Sequence, residues 1–144
     1  MQLNSLFQLT LPDDWEDVTV HTYKGPIDDG VQHNIVLSID NKIDKNLSLT
    51  DYVSKQMAGS KQTLPGFEMI KEGKSKLKSG IPVYIVIYRF RATDEQAIFQ
   101  KQLFIVHEGK AYMFTSTFSK KTLKTISQDV DKIIASFKPI TVTD

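Results

Sequence analysis

The sequence contains no cysteine, which excludes disulfide bonds, thiolate metal sites and cysteine nucleophiles. A chain without cysteine also fits a reducing compartment. The N-terminal stretch "MQLNSLFQLTLPDDW" lacks the basic start, long apolar run and small-residue cleavage site of a secretory signal. No segment approaches the ~20 consecutive apolar residues of a membrane span. Taking Met1 as the native start, we expect a cytoplasmic protein that does not itself insert into a membrane.

The chain also lacks an excess of charge of either sign. Its 18 basic and 17 acidic residues give a net charge of +1, and the lysines are spread along the whole sequence. Nucleic acid is therefore not an expected partner, because its recognition needs a clustered basic surface. At 144 residues the chain has the length of one ordinary domain, which needs no metal or disulfide to fold. We expect residues 1–144 to form a single domain.

Catalytic and metal-binding motifs are absent as well. The histidines His21, His33 and His107 lie far apart and show no metal-ligand spacing. There is no Gly-rich phosphate loop and no G-x-S-x-G nucleophile turn. Acidic pairs at 13–14 and 28–29 fall in predicted turns, where carboxylates commonly bond to backbone amides. We expect no enzyme activity, no metal and no cofactor.

Alternating apolar residues predict most of the chain to be β-strand. The predicted strands cover residues 6–12, 15–25, 33–40, 67–77, 81–92, 97–109 and 110–118. Short turns at Ser79-Gly80, Thr93-Asp94 and Glu108-Gly109 indicate that consecutive strands are antiparallel neighbours.

Two segments show helical spacing instead. Ser48 with Asp51 resembles a helix start, and the first apolar stripe ends at Pro65-Gly66. The stripe consists of Leu49, Tyr52, Val53, Met57 and Leu64. A second helix is predicted after Ser119, with a stripe of Leu123, Ile126, Val130, Ile133, Ile134 and Phe137. The predicted fold is α+β, an antiparallel sheet of about six or seven strands with two main helices packed on it.

One face of the predicted sheet has a mixed character. In residues 33–40 the odd positions are all apolar, whereas the even positions are Asn34, Val36 and Ser38. Ile98 and Gln102 show a similar mixture in a later strand. These residues fit either a half-buried face under the first helix or a groove that receives something mainly apolar. The residues alone leave both interpretations open.

Several motifs resemble the DUF1795 or DcrB-related family, which has a Mog1/PsbP-like fold. They are "DYVSKQ", "LPGF", the strand after Gly80 that ends in "YRF", and "KQLFI". The chain looks most like the Eag adaptor chaperones of type VI secretion, over nearly its whole length. A DcrB-like lipoprotein starts with a secretion signal and a lipidated cysteine, which are not found here. That difference favours the cytoplasmic adaptor branch.

The resemblance implies a homodimer that holds the transmembrane helices of a PAAR-type secreted effector before export. It places a client-binding groove on Val20, Thr22, Asn34, Val36, Ser38, Gln56, Ser60, Leu64, Ile98 and Gln102. Thr22, Asn34 and Ser60 depart from the family pattern. Groove side chains are expected to reach solvent when no client is bound. A sheet of six strands is roughly 25 Å wide, so one protomer is expected to hold about one helix.

A second function remains open from the sequence. A small hydrophobic-ligand or peptide binding module, of the DcrB/PsbP-like type and without chaperone activity, would use the same apolar face as a closed pocket. An added hydrophobic peptide would then leave its solubility and mass unchanged.

Overall fold

The computed structural model describes residues 7–28, 30–41, 43–44 and 46–140. Its strands are β1 (Val20–Asp28), β2 (Val31–Asp40), β3 (Glu68–Lys76), β4 (Pro82–Thr93), β5 (Gln96–His107) and β6 (Lys110–Phe118). Its helices are α1 (Leu49–Thr63), α2 (Thr122–Thr125) and α3 (Ser127–Ala135). None of the helices in the described part of the chain has the length and apolar character needed to span a membrane.

The strands form one antiparallel sheet of six strands in the order β1-β2-β6-β5-β4-β3. Hairpins join β1 to β2 and link β3 through β6, and α1 lies in the connection between the two groups. Because β6 pairs with β2, the two groups of strands form one continuous sheet. The predicted α+β class with an antiparallel sheet is confirmed.

The helix α1 begins and ends where the sequence indicates. Oγ of Ser48 accepts a hydrogen bond from the backbone N–H of Asp51 at 3.1 Å, which satisfies one free amide of the first turn. The N–H of Leu64 bonds to the carbonyl of Ser60 at the other end. Gly66 then has a φ of +63°, a conformation that favours glycine, and it turns the chain into β3.

The sheet carries an apolar cluster on each face. On one face, α1 buries Tyr52, Val53 and Met57 against β4 and β5, where Val86 and Phe104 are fully buried. The rings of Tyr52 and Phe104 meet edge to face with centroids 6.2 Å apart. On the other face, α3 covers a cluster of residues from β2, β4, β5 and β6. Burial on both sides explains why the central strands are largely apolar.

The C-terminal helix differs in part from its prediction. It is divided at Ile126 into the short α2 and the longer α3, although Ile126 itself keeps helical torsion angles. Val130 and Ile134 are buried as the stripe predicts, but Ile133 is 58% exposed because it lies to the side of the contact with the sheet. The ring of Phe137 packs edge to face on Tyr112 and Phe114.

The N-terminal part of the strand prediction is wrong. Residues 7–19 form no strand, and their apolar side chains are exposed: Phe7, Leu9, Leu11, Trp15 and Val18. The first strand starts later, at Val20, and continues through Gly25 and Pro26 to Asp28, beyond the predicted end at residue 25. An irregularity between Lys24 and Ile27 accommodates the proline without ending the pairing with β2.

Candidate functional site

The helix α1 covers only part of its face of the sheet. It packs mainly on β4 and β5, whereas the same face continues across β6, β2 and the edge strand β1. Strand alternation places a set of uncharged residues on this continuation, which we call the open face. The open face consists of Val20, Thr22, Asn34, Val36, Ser38, Ile98, Gln100, Gln102, Met113, Thr115 and Thr117.

Cross-strand pairing aligns these residues in rows. One row runs from Thr22 to Val36, then through Thr115 to Gln102 and on to Val86 beneath α1. Adjacent strands are about 4.8 Å apart, so neighbouring side chains in a row are in contact range. The structure thus brings together predicted groove residues that lie far apart in the sequence.

A parallel row leads from the sheet edge into the core. It runs from Val20 to Ser38, then through Met113 to Phe104, whose ring contacts Tyr52 of α1. The row changes from exposed to fully buried along its length. Side chains on the open face are therefore exposed at the sheet edge and more deeply buried toward α1, so we also call this surface the shelf.

The predicted groove residues of α1 lie beside this shelf. One flank of α1 faces β3, where Ala58 and Lys61 border a shallow pocket together with Glu72. Helical spacing puts Gln56 on the opposite flank, toward the open face, with Ser60 closer to the sheet. Leu64 is half-buried at the end of the helix and packs on the cluster beneath α1. Gln56 itself is exposed, so it lies at the rim.

Exposure falls steeply across the shelf. Val20 is 51% exposed, and Thr22 is exposed as well. Asn34, Val36, Ser38 and Ile98 are half-buried. Gln102, however, is only 7% exposed, which contradicts the expectation that every groove position reaches solvent. The reason is its place in the centre of the sheet, between Thr115 of β6 and the fully buried Val86 of β4.

Two hydrogen-bonded pairs, each of an amide and a hydroxyl group, form the polar floor of the open face. Nε2 of Gln102 donates to Oγ1 of Thr115 at 3.2 Å, and Nε2 of Gln100 donates to Oγ1 of Thr117 at 3.3 Å. Oε1 of Gln100 also accepts the hydroxyl of Tyr88, and burial raises the pKa of Tyr88 to about 12. This phenol therefore stays protonated and acts as a fixed donor.

One acceptor in the floor has no partner. Oε1 of Gln102 is buried and makes no hydrogen bond within the described part of the chain. An unpaired buried carbonyl oxygen is unfavourable by about 1–3 kcal/mol.

Among the residues that the structure describes, charged groups flank the open face at its two ends. Lys24, paired with Asn34, follows it at one end of the strands, and Asp40, paired with Ala111, follows it at the other. Burial raises the pKa of the Tyr52 phenol, and the negative charge of the nearby Asp40 adds to the shift. Between these ends the surface is neutral, which suits an uncharged and largely apolar occupant.

The sequence reasoning missed the contribution of β6. Met113, Thr115 and Thr117 share the open face, and Gln100 of β5 lies beside them. The run "KAYMFTSTF" contains part of this signal, because Met113, Thr115 and Thr117 stand at alternate positions. Ser116 weakens the contrast, since a polar residue also lies on the opposite, apolar face. No cluster of three or more potential metal-ligating residues occurs in the ranges that the structure describes.

The DcrB family model matches residues 7–136 of the chain. No curated protein matches the sequence. Among solved structures, a Pseudomonas aeruginosa protein of unknown function, PA94, is similar with a TM-score of 0.78 and 20% identity, over 92% of this chain and 90% of that chain.

Two further solved structures share the fold more distantly. Cyanobacterial PsbP from Synechocystis has a TM-score of 0.56 and 14% identity, over 92% of this chain and 99% of that chain. LpqN, involved in cell envelope biogenesis of Mycobacterium tuberculosis, has a TM-score of 0.56 and 19% identity, over 94% of this chain and 83% of that chain. The predicted DcrB-related, PsbP-like fold is confirmed.

Proposed function

We propose that this chain, which belongs to the DcrB family, is a cytoplasmic adaptor chaperone without enzyme activity. Its client is the N-terminal transmembrane region of a PAAR-containing effector of type VI secretion, which it shields before export. The observation that carries the proposal is the open face, a neutral surface beside α1 whose apolar and hydroxyl side chains are exposed at β1 and half-buried farther in.

The physical need for such a chaperone follows from the client. A transmembrane helix satisfies its own backbone hydrogen bonds but presents about 20 apolar residues, which aggregate in water. Contacts with Val20, Val36 and Ile98 would bury apolar area at about 25 cal/mol per Å². Thr22 and Ser38 would add weak polar contacts of the kind that join membrane helices to one another. Binding is then stable and still reversible.

The dimensions of the open face fit part of one helix. Its four strands place β1 and β5 about 14 Å apart, and a helix with side chains is about 10–12 Å wide. Along β2, from Asn34 to Asp40, the face is roughly 20 Å long, against the ~30 Å of a membrane span. Because α1 occupies the rest of the sheet, one protomer covers less of a helix than the full sheet width suggested.

We propose a homodimer, because a second protomer would cover the part of the client helix that one protomer leaves exposed. The apolar side chains of residues 7–19 lead directly into β1 at the edge of the open face, and they are uncovered in the isolated chain. Monomeric proteins rarely leave an apolar surface of this extent exposed. A partner protomer beside β1 would lengthen the shelf in the direction that a full transmembrane helix requires.

The test is co-expression with an N-terminal fragment of a PAAR-containing effector encoded beside the gene for this chain. The parent chain should keep the fragment soluble and co-purify with it. Val20→Glu and Thr22→Glu should leave the fragment insoluble, because each places a charge against hydrocarbon. Ile70→Glu on β3 is a matched control at an exposed apolar position outside the open face, and Lys124→Glu on α2 is a second control.

Two results would contradict the proposal. One is a fragment that stays insoluble with the parent chain. The other is equal loss of solubility with the open-face variants and with Ile70→Glu. A ligand-binding module would instead bind small apolar molecules on the open face and leave the fragment insoluble.

A further inference from the structure

A separate pocket lies on the opposite face of the sheet, between α3 and the hairpin of β1 and β2. Its volume is about 330 Å³, within the range of roughly 300–1,000 Å³ that is usual for small-molecule sites. Its walls come from both strands, from α3 and from Ile126, which precedes α3. The lining includes Tyr23, Gly25, Pro26, His33, Asp129 and Val130. We call it the His33 pocket.

The imidazole of His33 is the unusual group in this pocket. His33 is 2% exposed, and neither Nδ1 nor Nε2 has a hydrogen-bond partner in the part of the chain that the structure describes. A neutral imidazole presents one N–H donor and one acceptor nitrogen. Leaving both buried and unpaired is unfavourable, and native structures seldom do so without a reason.

The backbone opposite His33 is irregular and approaches the His33 side chain closely. The pairing of β1 with β2 is interrupted between Lys24 and Ile27, where Gly25 and Pro26 lie. A Cβ atom on Gly25 would be 3.3 Å from Cβ of His33, tighter than ordinary contact. The side-chain amide of Gln32 donates to the carbonyl of Gly25 and holds the irregular segment in place. Such bulges often serve to redirect a side chain at a site.

The rest of the lining limits the chemistry of a ligand. Ile126, Val130 and Ile133 present an apolar wall from the helices. Of the charged residues that border the pocket, Asp129 lies on α3, whereas alternation along β1 places the Lys24 side chain on the face of Asn34. The mainly apolar wall favours a ligand without charge. A hydroxyl group matches the imidazole, because it can donate to one nitrogen or accept from the other.

We propose that the His33 pocket binds a small neutral amphiphile, with an apolar body against the α3 wall and a hydroxyl group hydrogen-bonded to the His33 ring. His33 alternates with the residues of the open face along β2, so the two sites are on opposite sides of the sheet. Asn34 borders both sites, but His33 and the α3 wall face away from the open face, so either proposal can fail without the other.

The experiment compares two probes that differ by one hydroxyl, 4-methylphenol and toluene. Each is titrated into the full chain and followed by two-dimensional NMR of the backbone amides and the histidine rings. Both should shift pocket residues saturably, and 4-methylphenol should also shift the His33 ring nitrogens. One hydrogen bond should make 4-methylphenol bind about threefold to tenfold more tightly than toluene.

Three variants separate the hydrogen bond from the apolar contact. His33→Leu should remove the preference for 4-methylphenol and keep toluene binding. His21→Leu, an imidazole on β1 outside the pocket, should keep the preference. Ile133→Ser changes an exposed wall residue that is not needed for folding, and it should weaken both probes alike.

The proposal is overturned if neither probe gives saturable shifts, if both bind the parent equally, or if His33→Leu keeps the preference. Shifts that follow protein concentration instead of probe concentration would assign the pocket to a second copy of the chain and would also overturn it. In every case His33→Leu should still keep the effector fragment soluble, since it lies away from the open face.

Discussion

Gln102 of β5 donates a hydrogen bond to Thr115 of β6 across the floor of the open face, with 3.2 Å between Nε2 and Oγ1. The other end of the same amide is buried without a partner among the described residues. The hydrogen bond therefore fixes the orientation of the Gln102 amide, whose Oε1 remains an unused acceptor. It joins the covered half of the sheet to the open half, because Gln102 lies between Thr115 and the core residue Val86.

Replacement of Gln102 should affect stability, whereas replacement of Val20 should affect only client binding. Gln102→Glu places a carboxylate at a buried position, where an unpaired charge is unfavourable by several kcal/mol. We expect the melting temperature of the isolated protein to fall by about 10 °C or more. Val20→Glu adds a charge at an exposed edge and should change the melting temperature by only about 2 °C. Calorimetry on client-free variants measures both, and a collapse at both positions would remove the groove proposal.

Tyr88 should make the protein less stable in alkaline solution. Burial raises its pKa to about 12, whereas an unfolded tyrosine titrates near 10. The folded state holds this proton more tightly, so the contribution is complete below pH 10 and is lost as the pH rises toward 12. Its size is about 2–3 kcal/mol. Urea unfolding of the parent and of Tyr88→Phe between pH 9 and pH 12 should show a smaller decline in the variant; parallel curves would contradict the assignment.

The ion pair between Lys101 and Asp131 should stabilise the packing of α3 on the sheet. Nζ of Lys101 lies 2.7 Å from Oδ1 of Asp131, and the lysine side chain is mostly buried. Asp131→Asn should lower the free energy of unfolding by about 1 kcal/mol, and less at high salt. Glu68→Gln breaks the more exposed pair with Arg89 and should have a smaller effect. Equal effects in urea titrations would show that burial of Lys101 adds nothing.

The proposed homodimer should be visible as a doubled mass by light scattering at micromolar concentration. The double variant Trp15→Ser, Val18→Ser removes two exposed apolar side chains that precede β1, and it should shift the protein toward monomer. Ile70→Ser on the other edge strand, β3, should leave the mass unchanged. A parent chain that is strictly monomeric, alone and with client, would refute the dimer.

Local structure is predicted well from the sequence where a residue pattern is compatible with only one backbone conformation. The helix start at Ser48 and Asp51 and the turn at Gly66 are both confirmed, because hydrogen bonding and backbone torsion are decided by neighbouring residues. The glycine turns at Gly80 and Gly109 are confirmed for the same reason.

The same patterns fail where pairing between distant segments decides the outcome. Phe7, Leu9 and Leu11 alternate as a strand does, yet no strand pairs with them in the described part of the chain. The alternating pattern predicts a strand end at residue 25, but pairing with β2 carries β1 on through Pro26 to Asp28. Propensity describes which backbone shapes are allowed, and the sheet determines which of them are used.

The candidate site could be predicted only in outline. Alternation assigns Asn34, Val36 and Ser38 to one face, and the structure shows them side by side with β6, which no local pattern indicates. Burial of Gln102 follows from the same topology, because it depends on which strands flank β5. The role of these residues in client binding remains a prediction.

Because α1 packs mainly on β4 and β5, the two halves of the sheet differ in how readily their strands separate. Amide protons of β4 and β5 lie under helices on both faces, so their hydrogen exchange requires disruption of both apolar clusters. The edge strand β1 has a single neighbour and can separate from β2 while the rest of the sheet persists. A client held on the open face would bridge β1, β2 and β6, and it would slow exchange most in the strands that are least protected without it.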